Sequence, residues 1–252
     1  MTKKHRAANV VFLILLAHSM TADAAEIRVM CATPVEEVMK ELGQQFERTT
    51  DHKLVVQYDV APVLKRRIDA GETFDVAILL PALIDDLIKQ GKIAAGTRAV
   101  IARSGLGVGV REGAPKPDVS SVDALKQGLR NAKSIAYSKE GASGVAFLSL
   151  IDRLGITEEI RSKLKPTPAE MFAYVVPRGE ADMIVVPISS IMVPGMQLAG
   201  PVPGNLQTYF LFTGGISASA KESEAAKALI TFLTAPAAIP VLKARGMEPG
   251  AP

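Results

Sequence analysis

The chain has 252 residues, 29 Lys and Arg against 26 Asp and Glu, a net charge of +3, and no tryptophan. The positive excess is scattered with no basic block, so a nucleic-acid-binding surface has little support. A single cysteine excludes an internal disulfide. With the leader removed His52 is the only histidine, and neither a zinc site nor a histidine-based triad is expected. No metal or cofactor is predicted.

The leader is the first element. Lys3, Lys4 and Arg6 precede an apolar run from Val10 to Ala17, and Ala22-Asp23-Ala24 is a small-x-small cleavage site. Residues 1–24 therefore read as a secretory signal peptide, with the mature chain starting at Ala25 and exported to the periplasm. Cys31 lies too deep inside the following apolar run for lipid attachment, and is expected to be a small buried residue rather than a redox thiol.

From Ile27 to Ala32 the pattern is a short buried strand. Thr33 and Glu36 match a Thr-x-x-Glu capping box with Pro34 at the first helical position, and Val35, Val38, Met39, Leu42 and Phe46 fall on one helical face. A second strand (53–58), a helix from Pro62 to Ile68, a nearly all-apolar strand (74–80) and a helix from Pro81 to about Gly91 follow. This alternation predicts a parallel sheet covered on both faces. Two β-like runs, 99–102 and 106–110, come without a helix between them and read as the chain passing from one domain to another. Then come a helix (121–130), a strand (134–138), a turn and helix (141–154), a helix (168–176) and a buried strand (182–187). A turn at 201–204 and a long β segment (206–216) return the chain, and helices at 221–233 and 235–245 close it, the second expected against the first domain.

The predicted fold is α/β with two lobes, each a mainly parallel sheet flanked by helices, joined by two hinge crossings. Residues 25–101 with 209–252 form lobe I and 102–208 form lobe II. A ligand of such a clam-shell sits in the cleft, where helix N-termini from both lobes offer backbone N–H groups to an anion. One wall is expected from Ala32-Thr33, Asp59-Val60-Ala61 and Leu79-Leu80-Pro81. The other comes from the turn 138–144, with Lys139, Gly141, Ala142, Ser143 and Gly144, and from Pro187-Ile188-Ser189. Thr33 and Ser143 are expected to face each other across the gap. Arg28, Lys65, Arg66, Lys139 and Arg178 are candidate cationic partners, with Lys139 ranked first. No Gly-Lys-Ser/Thr follows the glycines, so this is not a nucleotide-type phosphate loop.

Several stretches carry a family resemblance. They are the strand–Ala32-Thr33–helix opening, AGETFDVAILLPALIDDLIKQGKI (70–93), YSKEGASGVAFLSLIDRLGI (137–156), RGEADMIVVPISSI (178–191) and SEAAKALITFLTAPAAIPVLKARGMEP (223–249). Together they resemble the molybdate-binding periplasmic proteins of ABC importers, of the type II solute-binding fold. The resemblance implies a monomeric exported protein that binds a small anion and hands it to an ABC permease. Molybdate binders of this family carry a Gly/Ser-rich second turn and a tyrosine after the Gly-Glu-Ala-Asp strand. Here Asp59-Val60-Ala61 and Pro187-Ile188-Ser189 stand in those places, which favours an organic carboxylate over a bare oxyanion.

The same scaffold resembles aconitate isomerase, a periplasmic enzyme that moves a proton on an unsaturated tricarboxylate. That alternative needs an acid/base group in a dry cleft. Asp59, Tyr137, Lys139 and Glu140 are its candidates.

Overall fold

Ala99–Arg111 runs as one continuous strand where two short β segments are expected, and the rest of the molecule is arranged along it. The computed structural model describes residues 24–250, so the segment read as a signal peptide lies outside the described residues except for Ala24. The strands are β1 (Glu26–Ala32), β2 (Lys53–Asp59), β3 (Val76–Leu79), β4 (Ala99–Arg111), β5 (Ile135–Ser138), β6 (Leu164–Thr167), β7 (Met183–Pro187), β8 (Met196–Pro201), β9 (Tyr209–Ile216) and β10 (Glu248–Pro249). Their order is β2-β1-β3-β9-β4-β7-β5-β6, with β8 and β10 also paired to β4.

The outer strands are parallel in each lobe: β1 with β2 and β3, β5 with β6 and β7. The crossing strands are antiparallel, because one carries the chain out and the other brings it back. β4 pairs with β9 from Ala99 to Gly105, then with β7 and β8 from Leu106 to Arg111. Arg103 and Ser104, where the sequence suggests a break, pair opposite Leu211 and Phe210, so the ladder never stops. Register shifts at Val100/Ala102 and Val108/Gly109 bend the strand instead. Gln207 fastens the two crossings together. Its Oε1 accepts from the Leu106 and Thr208 N–H groups at 2.8 Å, and its Nε2 donates to the Leu106 carbonyl at 3.0 Å. This is a two-lobed type II periplasmic binding fold.

The helices are α1 (Glu36–Thr50), α2 (Ala61–Asp69), α3 (Pro81–Lys89), α4 (Val122–Asn131), α5 (Ala142–Arg153), α6 (Thr157–Ile160), α7 (Phe172–Val175), α8 (Ser223–Thr234) and α9 (Ile239–Ala244). The apolar face expected of α1 is buried at Val35, Val38, Met39, Leu42 and Phe46. Phe46 meets Phe232 of α8 edge-on at 5.6 Å, and Arg245, just after α9, bonds Glu41 at 2.7 Å. All four residues of β3 are buried, as the apolar run requires of a strand covered on both faces.

The capping box does not form. Ala32, still extended, is the boundary residue, Thr33–Val35 is a 3₁₀ turn, and α1 starts at Glu36 with no side-chain cap at either junction. Thr33 is thus already inside the helical turn, where its hydroxyl cannot reach back to cap it. The helix expected over 168–176 shrinks to a 3₁₀ turn (Ala169–Met171) and α7. The one expected over 235–245 becomes a 3₁₀ turn (Pro236–Ala238) and α9, with Pro240 near the start of α9 supplying no N–H. β6, β8 and β10 carry no strand signal in the sequence: Leu-Lys-Pro-Thr holds a proline tolerated only at a sheet edge, Met196–Pro201 alternates only over its first three residues, and Glu248–Pro249 is two residues long.

Two expectations follow. At Gly144 a Cβ would lie 1.9 Å from the Ser138 carbonyl oxygen, backbone against backbone. Gly144→Ala is expected to destabilise by ~3 kcal/mol, lowering the thermal midpoint by roughly 6–12 °C. Cys31 is fully buried, and burial first, then the negative Glu36, pushes its thiol well above the usual range. An aromatic disulfide reagent is expected to leave it unmodified until denaturant is added.

Candidate functional site

Five chain turns lead from the carboxyl end of a strand into a helix or 3₁₀ turn. Their boundary residues are Ala32, Val60, Leu80, Gly141 and Pro187, and none has a side-chain cap. The first N–H groups of such turns have no intrahelical acceptor. α4 differs: Ser121 caps it, accepting from the Ala124 N–H at 3.1 Å, and it lines none of the cleft cavities. α6, α8 and α9, outside the cleft, also lack a side-chain cap, so the five starts are set apart by where they converge rather than by being bare.

All five boundary residues, with Ala61, Ala142 and Ser143, surround a narrow central cavity of about 30 Å³. Phe172, Phe210 and Phe212 supply much of the remaining wall, and Ser138 and Ser143 its only hydroxyls. The lobes touch here. A Cβ on Gly141 would lie 2.5 Å from Ser138 Oγ and 3.3 Å from Val60 Cγ1, and Arg66 on α2 pairs with Glu140 of the opposite lobe at 3.0 Å. Ser138 Oγ accepts the Gly141 N–H at 2.9 Å, which sets the turn ahead of α5.

Two chambers flank the centre and share Asp59, Ala169 and Glu170. The larger, about 500 Å³, is bordered by Thr33, Tyr58, Ser189 and Ser190 together with Glu36, Glu37 and Lys40. The smaller, about 420 Å³, is bordered by Val60, Arg66, Lys139 and Glu140. Asp59 turns its Oδ1 onto the N–H of Val60 at 2.7 Å, so it neither caps α2 nor enters the centre, and it takes up one donor of that turn. Tyr58 has its hydroxyl pushed far above the usual tyrosine range, first by burial and then by nearby negative groups, so it stays protonated.

Of the expected residues, Ala32, Val60, Ala61, Leu80, Gly141, Ala142, Ser143 and Pro187 meet at the centre; Thr33, Asp59, Lys139 and Ser189 line the chambers. Thr33 and Ser143 border different cavities of the cleft rather than one. Leu79, Gly144 and Ile188 line none of the three. Leu79 is in the core, Gly144 is packed on Ser138, and Ile188 points behind the hinge into a 380 Å³ pocket with Arg103 and Gly246.

Most of the candidate cations are occupied elsewhere. Arg28 bonds Thr73, Lys65 bridges Asp69 and Asp86, and Arg178 stacks on Tyr174. Lys139 remains without an ion pair among the described residues. Of the four acid/base candidates, Asp59, Lys139 and Glu140 share the smaller chamber, whereas the Tyr137 ring packs on Phe147 at 5.5 Å and borders none of the three cavities. Phe210 and Phe212, which the sequence reading does not include, are signalled by the alternation on β9 that places both inward. Glu170 and Phe172 follow β6, and no local pattern points them at the cleft.

The chain matches the family model described as bacterial extracellular solute-binding protein over residues 27–248. It is 31% identical to the aconitate isomerase of Pseudomonas sp. over 231 residues, covering 88% of this chain and 87% of that one. It is 30% identical to the molybdate-binding protein ModA of Azotobacter vinelandii over 230 residues, covering 89% and 90%. The solved structure of the Azotobacter vinelandii periplasmic molybdate-binding protein superposes with a TM-score of 0.76 at 20% identity, covering 89% of this chain and all of that one. The chain belongs to the bacterial extracellular solute-binding protein family.

Proposed function

We propose that this protein closes its lobes over a small organic carboxylate and delivers it to the membrane permease of an ABC importer. The carrying observation is the ring of uncapped helix starts, contributed by both lobes, around one cavity. Backbone N–H groups and positive helix ends suit a carboxylate, and the prolines, Phe172, Phe210 and Phe212 suit a carbon skeleton. The adjoining chambers give room beyond a tetrahedral ion. They also carry Asp59 and Glu170, and a like-charge contact at 4 Å is worth about 4 kcal/mol at an effective dielectric of 20. A compact dianion such as molybdate is disfavoured in that setting. Closure selects a shut conformation already present in the free protein.

The aconitate isomerase relative supports a second reading, favoured by the grouping of Asp59, Lys139 and Glu140 in one chamber. In it Asp59 takes a proton from the allylic carbon of an unsaturated tricarboxylate and returns it to the far carbon of the double bond, which shifts by one position, while Lys139 steadies a carboxylate.

Calorimetric titration with molybdate, sulfate and a series of di- and tricarboxylates is expected to give heat with at least one carboxylate and none with the oxyanions; heat with molybdate alone sinks the carboxylate reading. Ala142→Pro removes one N–H at the first position of α5, where proline fits and the extended Gly141 tolerates it. It is expected to weaken binding about tenfold, ~1.4 kcal/mol, with little change in thermal midpoint. Absorbance of cis- or trans-aconitate mixed with the protein separates the two readings. Steady change abolished by Asp59→Asn supports the isomerase; a flat trace with bound aconitate supports the receptor.

A further inference from the structure

The larger chamber is unlike the rest of the cleft in charge. Glu36, Glu37, Asp59 and Glu170 border it against a single cation, Lys40. Lys40 is already committed, bonding Glu37 at 2.7 Å and Glu36 at 2.9 Å on its own helix. Asp59, at the end of β2, and Glu170, from the opposite lobe, take part in no ion pair among the described residues. The smaller chamber shares Asp59 and Glu170 and adds Glu140, but Arg66 and Lys139 border it as well, so the uncompensated side of those two carboxylates is the one turned to the larger chamber.

A second observation lies in the same chamber. Ser189 and Ser190 line it, are 2% and 7% exposed, and each has a buried hydroxyl with no hydrogen-bond partner. Orphaned buried hydroxyls are uncommon and carry a penalty until something meets them. No group of three or more His, Cys, Asp or Glu among the described residues is placed to hold a metal ion. What fits carboxylates on two sides and hydroxyls on a third is a donor with several N–H groups, which an ammonium supplies.

We infer that the larger chamber is a subsite for a cationic nitrogen on the ligand, so that the solute carries a carboxylate at the helix starts and an ammonium between Asp59, Glu170 and the two serines. The inference rests on the carboxylate reading above and narrows it to a zwitterionic class. Asp59 then has a role there: it repels purely anionic solutes and attracts those bearing an ammonium group. The two carboxylates belong to opposite lobes, so the ammonium also favours the closed form.

The test pairs probes that share a carbon skeleton and differ by one ammonium, glutarate with L-glutamate and pentanoate with 5-aminopentanoate, alongside molybdate, in calorimetry on the mature protein. In at least one pair the ammonium-bearing probe is expected to bind tenfold tighter or more. Glu170 is exposed and has no ion pair among the described residues, so Glu170→Gln leaves the fold intact; it is expected to weaken that probe at least threefold and to leave its carboxylate-only partner unchanged or tighter. Carboxylate-only probes that bind as tightly in both pairs, or a Glu170→Gln variant that keeps full affinity for the ammonium probe, overturn the subsite and leave the carboxylate reading standing. Heat from molybdate alone, or from no probe, overturns both.

Discussion

Bare helix starts at the carboxyl ends of strands are the constraint on which this molecule depends. A Ser, Thr, Asp or Asn at such a position is worth about 1 kcal/mol to the helix, yet Ala32, Val60, Leu80, Gly141 and Pro187 forgo it. Proline at the first or second position of three of these turns recovers part of the loss by pre-setting φ without needing a donor. Gly141 and Gly144 let α5 approach β5 closely enough to bring the fourth start to the same place. The stability forgone locally leaves polar hydrogens around one cavity lined by both lobes.

The convergence works only if the lobes can part and return. β4 and β9 make this possible by carrying the chain across twice, side by side and antiparallel, with Gln207 pinning one crossing to the other. β4 exchanges partners between Gly105 and Leu106, from β9 to β7 and β8, which marks the passage from one lobe to the other. Across the mouth Arg66–Glu140 is an exposed pair, worth between zero and about 1 kcal/mol, so it guides closure without locking it.

Affinity and discrimination are separated in space. In the proposed reading the centre supplies donors and apolar contact for a carboxylate. Charge selection belongs to the chambers beside it, where Asp59, Lys139, Glu140 and Glu170 differ in sign and in partners. A fold shared with molybdate-binding and aconitate-isomerising relatives can thus serve distinct solutes through a few residues at the rim.

The sequence alone determined the alternation of strand and helix, the buried face of α1, the buried strand β3 and most of the turns that gather at the cleft. These are local: apolar period, proline and glycine position and strand-to-helix punctuation are all written in neighbouring residues. It misassigned the Thr33 cap, because a proline one position on shifts the helical boundary back to Ala32. It divided β4, because pairing with β9 on one side and β7 on the other is what holds Arg103–Gly105 extended. Only the tertiary structure decided that Leu79 and Ile188 face away from the cleft and that Glu170, Phe172, Phe210 and Ser190 face it. Those directions depend on how two lobes meet, and residues that meet there are far apart in the chain, Arg66 and Glu140 by 74 positions.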